Sequence, residues 1–149
     1  MPKYTLLLSA GSDAKIKLWD FNSFKLKNEY LGHQIEITSI DYSPRLNSLV
    51  SSSKDSTIKY WILFEKGFKY SIKAHDKGVF FVKFLDSEDN FVSGGGDGLV
   101  KIWRINGDFV ISLHGHQENI NCFLQIKPKL FLTGGWDHKI LAWKMMNKK

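Results

Sequence analysis

A pattern of four residue types recurs along this chain of 149 residues, and its regular spacing restricts the fold more than any other feature. Each of four copies has an aspartate followed six residues later by a tryptophan: Asp13 and Trp19, Asp55 and Trp61, Asp97 and Trp103, Asp137 and Trp143. Successive aspartates are 42, 42 and 40 residues apart. A hydroxyl residue lies four positions before each aspartate: Ser9, Ser51, Ser93 and Thr133. A histidine precedes the last three aspartates by 22, 22 and 21 residues: His33, His75 and His116. Such a period indicates one supersecondary unit per copy, with neighbouring units stacked on a shared core.

The sequence around the third aspartate is typical of a strand, a tight turn and a second strand. Residues 91–93 form a short, mostly apolar segment, and residues 94–98 are glycine-rich and contain Asp97. In residues 99–103, apolar and polar side chains alternate up to Trp103. Glycine and aspartate between alternating segments favour a β-hairpin turn. Because no segment has a helical period of apolar residues, the sequence predicts an all-β protein.

Composition places the chain among proteins that bury a core. It is 43% hydrophobic and 24% charged, which is ordinary for a globular domain. No apolar run approaches the roughly 18 residues of a transmembrane helix, so no membrane association is predicted. Cys122 is the single cysteine, which excludes an internal disulfide. The apolar run after Lys3 aligns with a repeat strand instead of a signal peptide, and we expect an intracellular, cytoplasmic protein.

The positive charge of the chain raises the alternative of nucleic-acid binding. The net charge is +6 and the isoelectric point is about 9.3. The basic residues are spread along the sequence, with one small cluster at Lys144, Lys148 and Lys149. Nucleic-acid-binding domains usually concentrate their basic residues on one face. A solvated surface is therefore the favoured interpretation, and nucleic acid is not a favoured partner.

The repeat resembles that of the WD-repeat (WD40) β-propeller family, and the resemblance covers about residues 6–143. It implies an all-β chain of β-propeller blades, each of four antiparallel strands. The chain is then a single propeller segment with repeat units at about 1–32, 33–74, 75–115 and 116–149. The resemblance also implies that one histidine, one Ser or Thr, one aspartate and one tryptophan form a hydrogen-bonded set in each blade, here called a tetrad. The tetrads are His33, Ser51, Asp55 and Trp61; His75, Ser93, Asp97 and Trp103; His116, Thr133, Asp137 and Trp143; and, without a histidine, Ser9, Asp13 and Trp19.

The number of predicted strands indicates an incomplete ring. We expect three strands in the first unit, four in the second and third, and three in the last, or about 3.5 blades. Complete propellers have about 4–8 blades. Three explanations stay open: a piece of a longer propeller protein, an arc completed by another copy or a partner chain, and a small closed ring.

Catalytic interpretations fit the repeat poorly. A serine, histidine and aspartate could form a protease-like set, but the same set recurs three times at fixed offsets, which favours a scaffold. The histidines lack zinc-ligand spacing and cysteine partners, so no metal site is predicted. The glycine run at 94–98 lacks the Lys-Ser/Thr of a phosphate loop. We therefore expect no enzyme activity and no cofactor.

The resemblance implies partner binding at one rim of the ring. The rim positions are the residue before each turn aspartate and the residues three and five after each histidine. Here they are Ser12, Lys54, Gly96 and Trp136, together with Glu36, Thr38, Gly78, Phe80, Asn119 and Asn121. Phe80 and Trp136 are the strongest candidates, because large exposed aromatic residues favour binding hot spots. The alternative is that either ring packs against a neighbouring blade.

We therefore expect a non-catalytic protein–protein interaction scaffold, part of a WD-repeat propeller in a larger assembly; the alternative is a basic nucleic-acid-binding module. An Asp and Arg shortly after the strand tryptophan, which some family members use to recruit ubiquitin ligases, do not occur together here, so that role is not predicted. The turn at residues 134–137 is similar to turns in WD-repeat proteins of cilia and the microtubule cytoskeleton, which suggests those locations. The partners are not identified by the sequence.

Overall fold

The computed structural model describes residues 5–86 and 89–145, and in these residues every regular element is a β-strand. Lys148 and Lys149 of the predicted basic cluster lie outside the described residues. The strands are β1 (Leu6–Ala10), β2 (Lys15–Asp20), β3 (Leu26–Leu31), β4 (Ile37–Ser43), β5 (Ser48–Ser53), β6 (Thr57–Ile62), β7 (Tyr70–Lys73), β8 (Val79–Phe84), β9 (Asn90–Gly95), β10 (Leu99–Arg104), β11 (Phe109–His114), β12 (Ile120–Lys127), β13 (Leu130–Gly135) and β14 (Ile140–Lys144).

The strands form four antiparallel sheets in chain order. The first sheet contains β1–β3, the second β4–β7, the third β8–β11 and the fourth β12–β14. In each sheet every strand pairs with the one that follows it in sequence. This confirms the prediction of an all-β chain of propeller blades in an incomplete ring, with three, four, four and three strands.

Alternation of apolar and polar residues gives β2 one buried face, whereas β8 is almost continuously apolar because it is covered on both sides. In β2, Ile16 and Leu18 are fully buried, while Lys15 and Lys17 point to the opposite, partly exposed face. Successive side chains of a strand point to opposite faces, so this alternation gives the sheet one apolar face.

In each sheet, the aspartate of the repeat holds the turn that joins the strand carrying the Ser or Thr to the strand carrying the tryptophan. The residue after the aspartate has a positive φ in all four sheets: 60° at Ala14, 72° at Ser56, 74° at Gly98 and 61° at His138. The aspartate Oδ1 accepts a hydrogen bond from the backbone N–H two residues later, at 3.2, 2.9, 3.1 and 3.2 Å in chain order. Aspartate side chains stabilise turns in this way.

The core lies between the sheets. Leu18 of the first sheet packs in one cluster with Leu49 and Trp61 of the second. Tyr60 of the second sheet packs with residues of the third, including Trp103, and a third cluster joins the third and fourth sheets. The sheets are therefore stacked face to face in chain order, as propeller blades are. Within the described residues, no helix is long and apolar enough to cross a membrane.

Candidate functional site

The second sheet contains a continuous hydrogen-bonded set of four side chains. His33 Nδ1 lies 2.9 Å from Asp55 Oδ2, and His33 Nε2 lies 2.7 Å from Ser51 Oγ. Trp61 Nε1 donates to the same Ser51 Oγ at 2.8 Å. The set thus connects the loop before β4, the strand β5, the turn after it and the strand β6, which are brought together only when the sheet is formed.

The third and fourth sheets repeat this arrangement with nearly the same distances. The imidazole Nδ1 lies 2.8 Å from Asp97 and 2.9 Å from Asp137. The imidazole Nε2 lies 2.8 Å from Ser93 Oγ and 2.9 Å from Thr133 Oγ1. The tryptophan indoles donate to those hydroxyls at 2.9 and 2.7 Å. The structure therefore brings together the residues of all three sequence-derived sets: His33, Ser51, Asp55, Trp61, His75, Ser93, Asp97, Trp103, His116, Thr133, Asp137 and Trp143.

The chemistry of the set fixes where its protons lie. A carboxylate only accepts hydrogen bonds, so His33 Nδ1–H donates to Asp55. Burial lowers the pKa of His33, although Asp55 acts in the opposite direction, and the ring is therefore neutral near pH 7. In a neutral ring that carries its proton on Nδ1, Nε2 can only accept a hydrogen bond. The Ser51 hydroxyl therefore donates to His33 Nε2, and its oxygen accepts from Trp61 Nε1–H.

Hydrogen bonding keeps the aspartate ionised despite its burial. Burial alone would raise the pKa of Asp55, but hydrogen bonds from Thr57, His33 and backbone N–H groups outweigh it and lower the pKa to about 2. Burial alone would also raise the pKa values of Asp97 and Asp137, but the bonds from His75 and His116, together with backbone N–H groups and nearby positive charge, lower them. Each of the three sites thus pairs an ionised carboxylate with a donor imidazole.

One further side chain, that of Thr57, joins the hydrogen-bonded set of the second sheet, and the repeat did not identify it. The Thr57 hydroxyl donates to Asp55 Oδ1 at 2.6 Å and lies 3.3 Å from His33 Nδ1. The position two residues after the turn aspartate is occupied by Lys15, Thr57, Leu99 and Lys139 in the four copies. Because threonine occupies this position in the second copy alone, no repeat signal could have identified Thr57.

The arrangement serves to connect strands. The hydroxyl oxygens belong to buried residues: Ser51 and Ser93 are 0% exposed and Thr133 is 1% exposed. A catalytic nucleophile must reach a substrate, whereas each of these hydroxyls is enclosed between an imidazole and an indole. Among the described residues, no group of three or more His, Cys, Asp and Glu side chains is placed to hold a metal ion.

The rim positions are paired by backbone hydrogen bonds. The N–H of the residue before each turn aspartate donates to the carbonyl of the residue three after the histidine. These bonds are Lys54 to Glu36 at 3.1 Å, Gly96 to Gly78 at 3.1 Å and Trp136 to Asn119 at 2.9 Å. The two loops that carry the rim are therefore fixed to each other in the second, third and fourth sheets.

Two aromatic residues of the rim lie close together across adjacent sheets. Phe80 of the third sheet and Trp136 of the fourth have ring centroids 6.5 Å apart, tilted by 49°. Trp136 is 56% exposed, and Phe80 is half-buried. Each ring thus contacts a neighbouring sheet, while more than half of the indole faces solvent.

The other predicted rim side chains differ in their exposure and in their hydrogen-bond and ion-pair partners. Lys54 Nζ and Glu36 Oε2 form an exposed ion pair of 2.7 Å. Thr38 Oγ1 instead donates to the Val79 carbonyl at 2.6 Å and is partly buried between the second and third sheets. Ser12 and Asn121 are exposed, and Asn119 is half-buried.

A scan against protein-family models matches the model described as "WD domain, G-beta repeat" four times, at residues 1–20, 24–61, 66–104 and 107–144. A search of curated proteins found no match to the chain.

Proposed function

Because the chain belongs to the WD40-repeat family, we propose that it is a non-catalytic protein–protein interaction scaffold, one part of a propeller within a larger assembly. WD40 repeats in general serve as scaffolds that bind other proteins. A rigid frame of strands with variable loops at its rim suits recognition, and the buried tetrads supply that rigidity.

One observation carries this proposal: the rim holds a half-exposed aromatic pair, Phe80 and Trp136, that spans two sheets. Binding hot spots are enriched in residues such as tryptophan, ringed by contacts that add little energy but exclude water. Here the Asn119 carbonyl accepts from the Trp136 N–H at 2.9 Å, and the exposed Lys54–Glu36 ion pair occupies the rim of the second sheet. The proposed partner is a protein segment that covers the indole of Trp136 with an apolar side chain.

The test compares the proteins captured by the wild-type chain and by Trp136→Ala. We expect Trp136→Ala to lose its direct partner at unchanged thermal stability, since the indole is 56% exposed. Phe64→Ala is the matched control, because Phe64 is an equally accessible aromatic residue, 61% exposed, in the loop after β6 at the other end of the strands. Capture of the same partners by both variants, or unfolding of Trp136→Ala, would contradict the proposal.

Salt titration and nuclease treatment of the captured material test the alternative of nucleic-acid binding, which is raised by the net charge of +6. Binding that falls steeply with salt concentration and disappears after nuclease treatment is typical of phosphate contacts. Such a result would overturn the protein scaffold in favour of the basic module.

For location we propose the cytoplasm, with the cytoskeleton or a cilium as the specific setting. The support is the unpaired, exposed Cys122, which suits a reducing compartment, and the turn at residues 134–137. Fluorescence imaging of the tagged chain tests this: a diffuse or filament-associated signal is expected, and secretion would contradict it.

A further inference from the structure

The second sheet buries a lysine that has no carboxylate partner. Lys59 of β6 is only 6% exposed. Its Nζ donates to Ser71 Oγ at 2.9 Å and lies 4.0 Å from the centre of the Phe68 ring. Within residues 5–86 and 89–145, no Asp or Glu forms an ion pair with this ammonium, and burial lowers the pKa of Lys59 although the charge of Asp55 opposes that shift. Because a buried charge is costly unless it is paired, this position lacks a negative group.

The equivalent lysines of the neighbouring sheets, four residues after the turn aspartate, do lie near a carboxylate. Lys17 Nζ is 2.6 Å from Asp13 Oδ2 in the first sheet. Lys101 Nζ is 3.8 Å from Asp97 Oδ2 in the third sheet. The charge of the lysine is therefore balanced in these two sheets, whereas that of Lys59 is not.

The first sheet also shows where a negative group can lie. Ser71 is the residue directly opposite Lys59 on the neighbouring strand, and the residue in the same position opposite Lys17 is Glu29. The Glu29 carboxylate lies 3.2 Å from Lys15 Nζ on the strand that it faces. The first sheet thus carries an oxyanion at the position where the second sheet carries a hydroxyl.

The surface around Ser71 is open to solvent. Ser71 is an exposed residue of β7, the outermost strand of the second sheet. Its oxygen accepts from Lys59, while its hydroxyl proton has no acceptor in the described part of the chain. Lys73, also exposed, lies two residues further along β7 and so on the same face. In the third sheet the equivalent oxygen, Ser112 Oγ, is buried. The second sheet therefore offers two ammonium groups and a hydroxyl donor at one accessible place.

We propose that Lys59, Ser71 and Lys73 form a binding site for the phosphate group of a phosphorylated side chain on a partner protein. The phosphate accepts hydrogen bonds from Lys59 Nζ and from the Ser71 hydroxyl, and it pairs with the Lys73 ammonium. A phosphate monoester carries nearly two negative charges at pH 7, which matches two ammonium groups better than one carboxylate does. Nucleic acid fits less well, because its binders align many basic residues along one face. Only the source of the phosphate rests on the proposed scaffold function.

The probes are inorganic phosphate and N-acetyl-phosphoserine amide, titrated into the full chain at pH 7.5 and constant ionic strength. Backbone amide shifts measured by NMR should saturate at Ser71 and Lys73, and acetate should bind more weakly than either probe. Lys59→Met should weaken both phosphate probes at least about tenfold, because it removes a hydrogen bond between charged groups. Lys101→Met is the matched control: it removes the equivalent lysine of the third sheet and should bind the probes as the wild type does.

Two results would overturn the site: equal affinity of the wild type and Lys59→Met, or no saturable shift at Ser71 and Lys73 at tens of millimolar phosphate. If Lys59→Met does not fold, Lys73→Met takes its place and should also weaken both probes, and equal affinity would again overturn the site.

A further titration tests the source of the phosphate. An oligothymidylate that shifts Ser71, binds more tightly than the phosphoserine probe and is lost in Lys59→Met would assign the site to nucleic acid and overturn the partner protein. None of these titrations involves Phe80 or Trp136, so failure of this site leaves the scaffold function untouched.

Discussion

Replacing Asp97 by alanine should destabilise the third sheet by an amount that follows from its hydrogen bonds. The carboxylate accepts from His75 Nδ1 at 2.8 and 3.0 Å and from the Leu99 N–H at 3.1 Å. The His75 side chain is 0% exposed, so its Nδ1–H cannot turn to water. A buried donor left without a partner costs about 1–3 kcal/mol. We therefore expect the free energy of unfolding to fall by about 1–3 kcal/mol for Asp97→Ala.

The assay is urea denaturation followed by tryptophan fluorescence. With a denaturant slope of about 1–3 kcal/mol/M, the expected loss moves the midpoint down by about 1 M. Asp86→Ala is the matched control, because it removes the same charge from an exposed residue and should change stability by about 0.5 kcal/mol or less. Asp97→Asn should fall between the two, since its amide oxygen still accepts from the imidazole. Equal midpoints for wild type and Asp97→Ala would refute the argument that the tetrad stabilises the sheet.

Two further predictions rest on the second and third sheets. The pKa of His33 is lowered from 6.5 and that of Asp55 from 3.8 to about 2, so the folded state binds fewer protons than the unfolded chain. Their contribution to stability is complete above about pH 6.5 and is lost on acidification, first through His33 and then, between about pH 4 and 2, through Asp55; a urea midpoint that does not fall from pH 7.5 to pH 5 would contradict this. Gly94→Ala should destabilise the third sheet by about 1–3 kcal/mol, because the new Cβ would meet the Phe81 ring at 2.1 Å; an unchanged melting temperature would exclude that overlap.

The fold was predictable because its determinants are local and repeated. The alternation in each strand and the aspartate turn with a positive φ after it depend on residues within about ten positions of one another. Because each of these local patterns occurs in four copies, their agreement gives a reliable prediction that one copy alone would not. The strand numbers of the four sheets followed from the same spacing, and the structure confirms them.

The functional site was less visible in the sequence, because its contacts join residues that are far apart. In the second sheet, Thr57 joins the tetrad through its hydrogen bond to Asp55, although threonine is not a repeated residue at that position. Thr38, a predicted rim residue, directs its hydroxyl to the Val79 carbonyl, 41 residues away, and is partly buried. Neither orientation can be derived from a pattern within one repeat.

The sequence by itself determined the blades: their strands, their turns and the residues available for each tetrad. The tertiary structure decided how neighbouring blades use those residues. Phe80 meets Trp136 only because the third and fourth sheets pack face to face. The physical reason is that strand formation depends on the alternation within a short segment, whereas contacts between sheets depend on packing between segments about 40 residues apart.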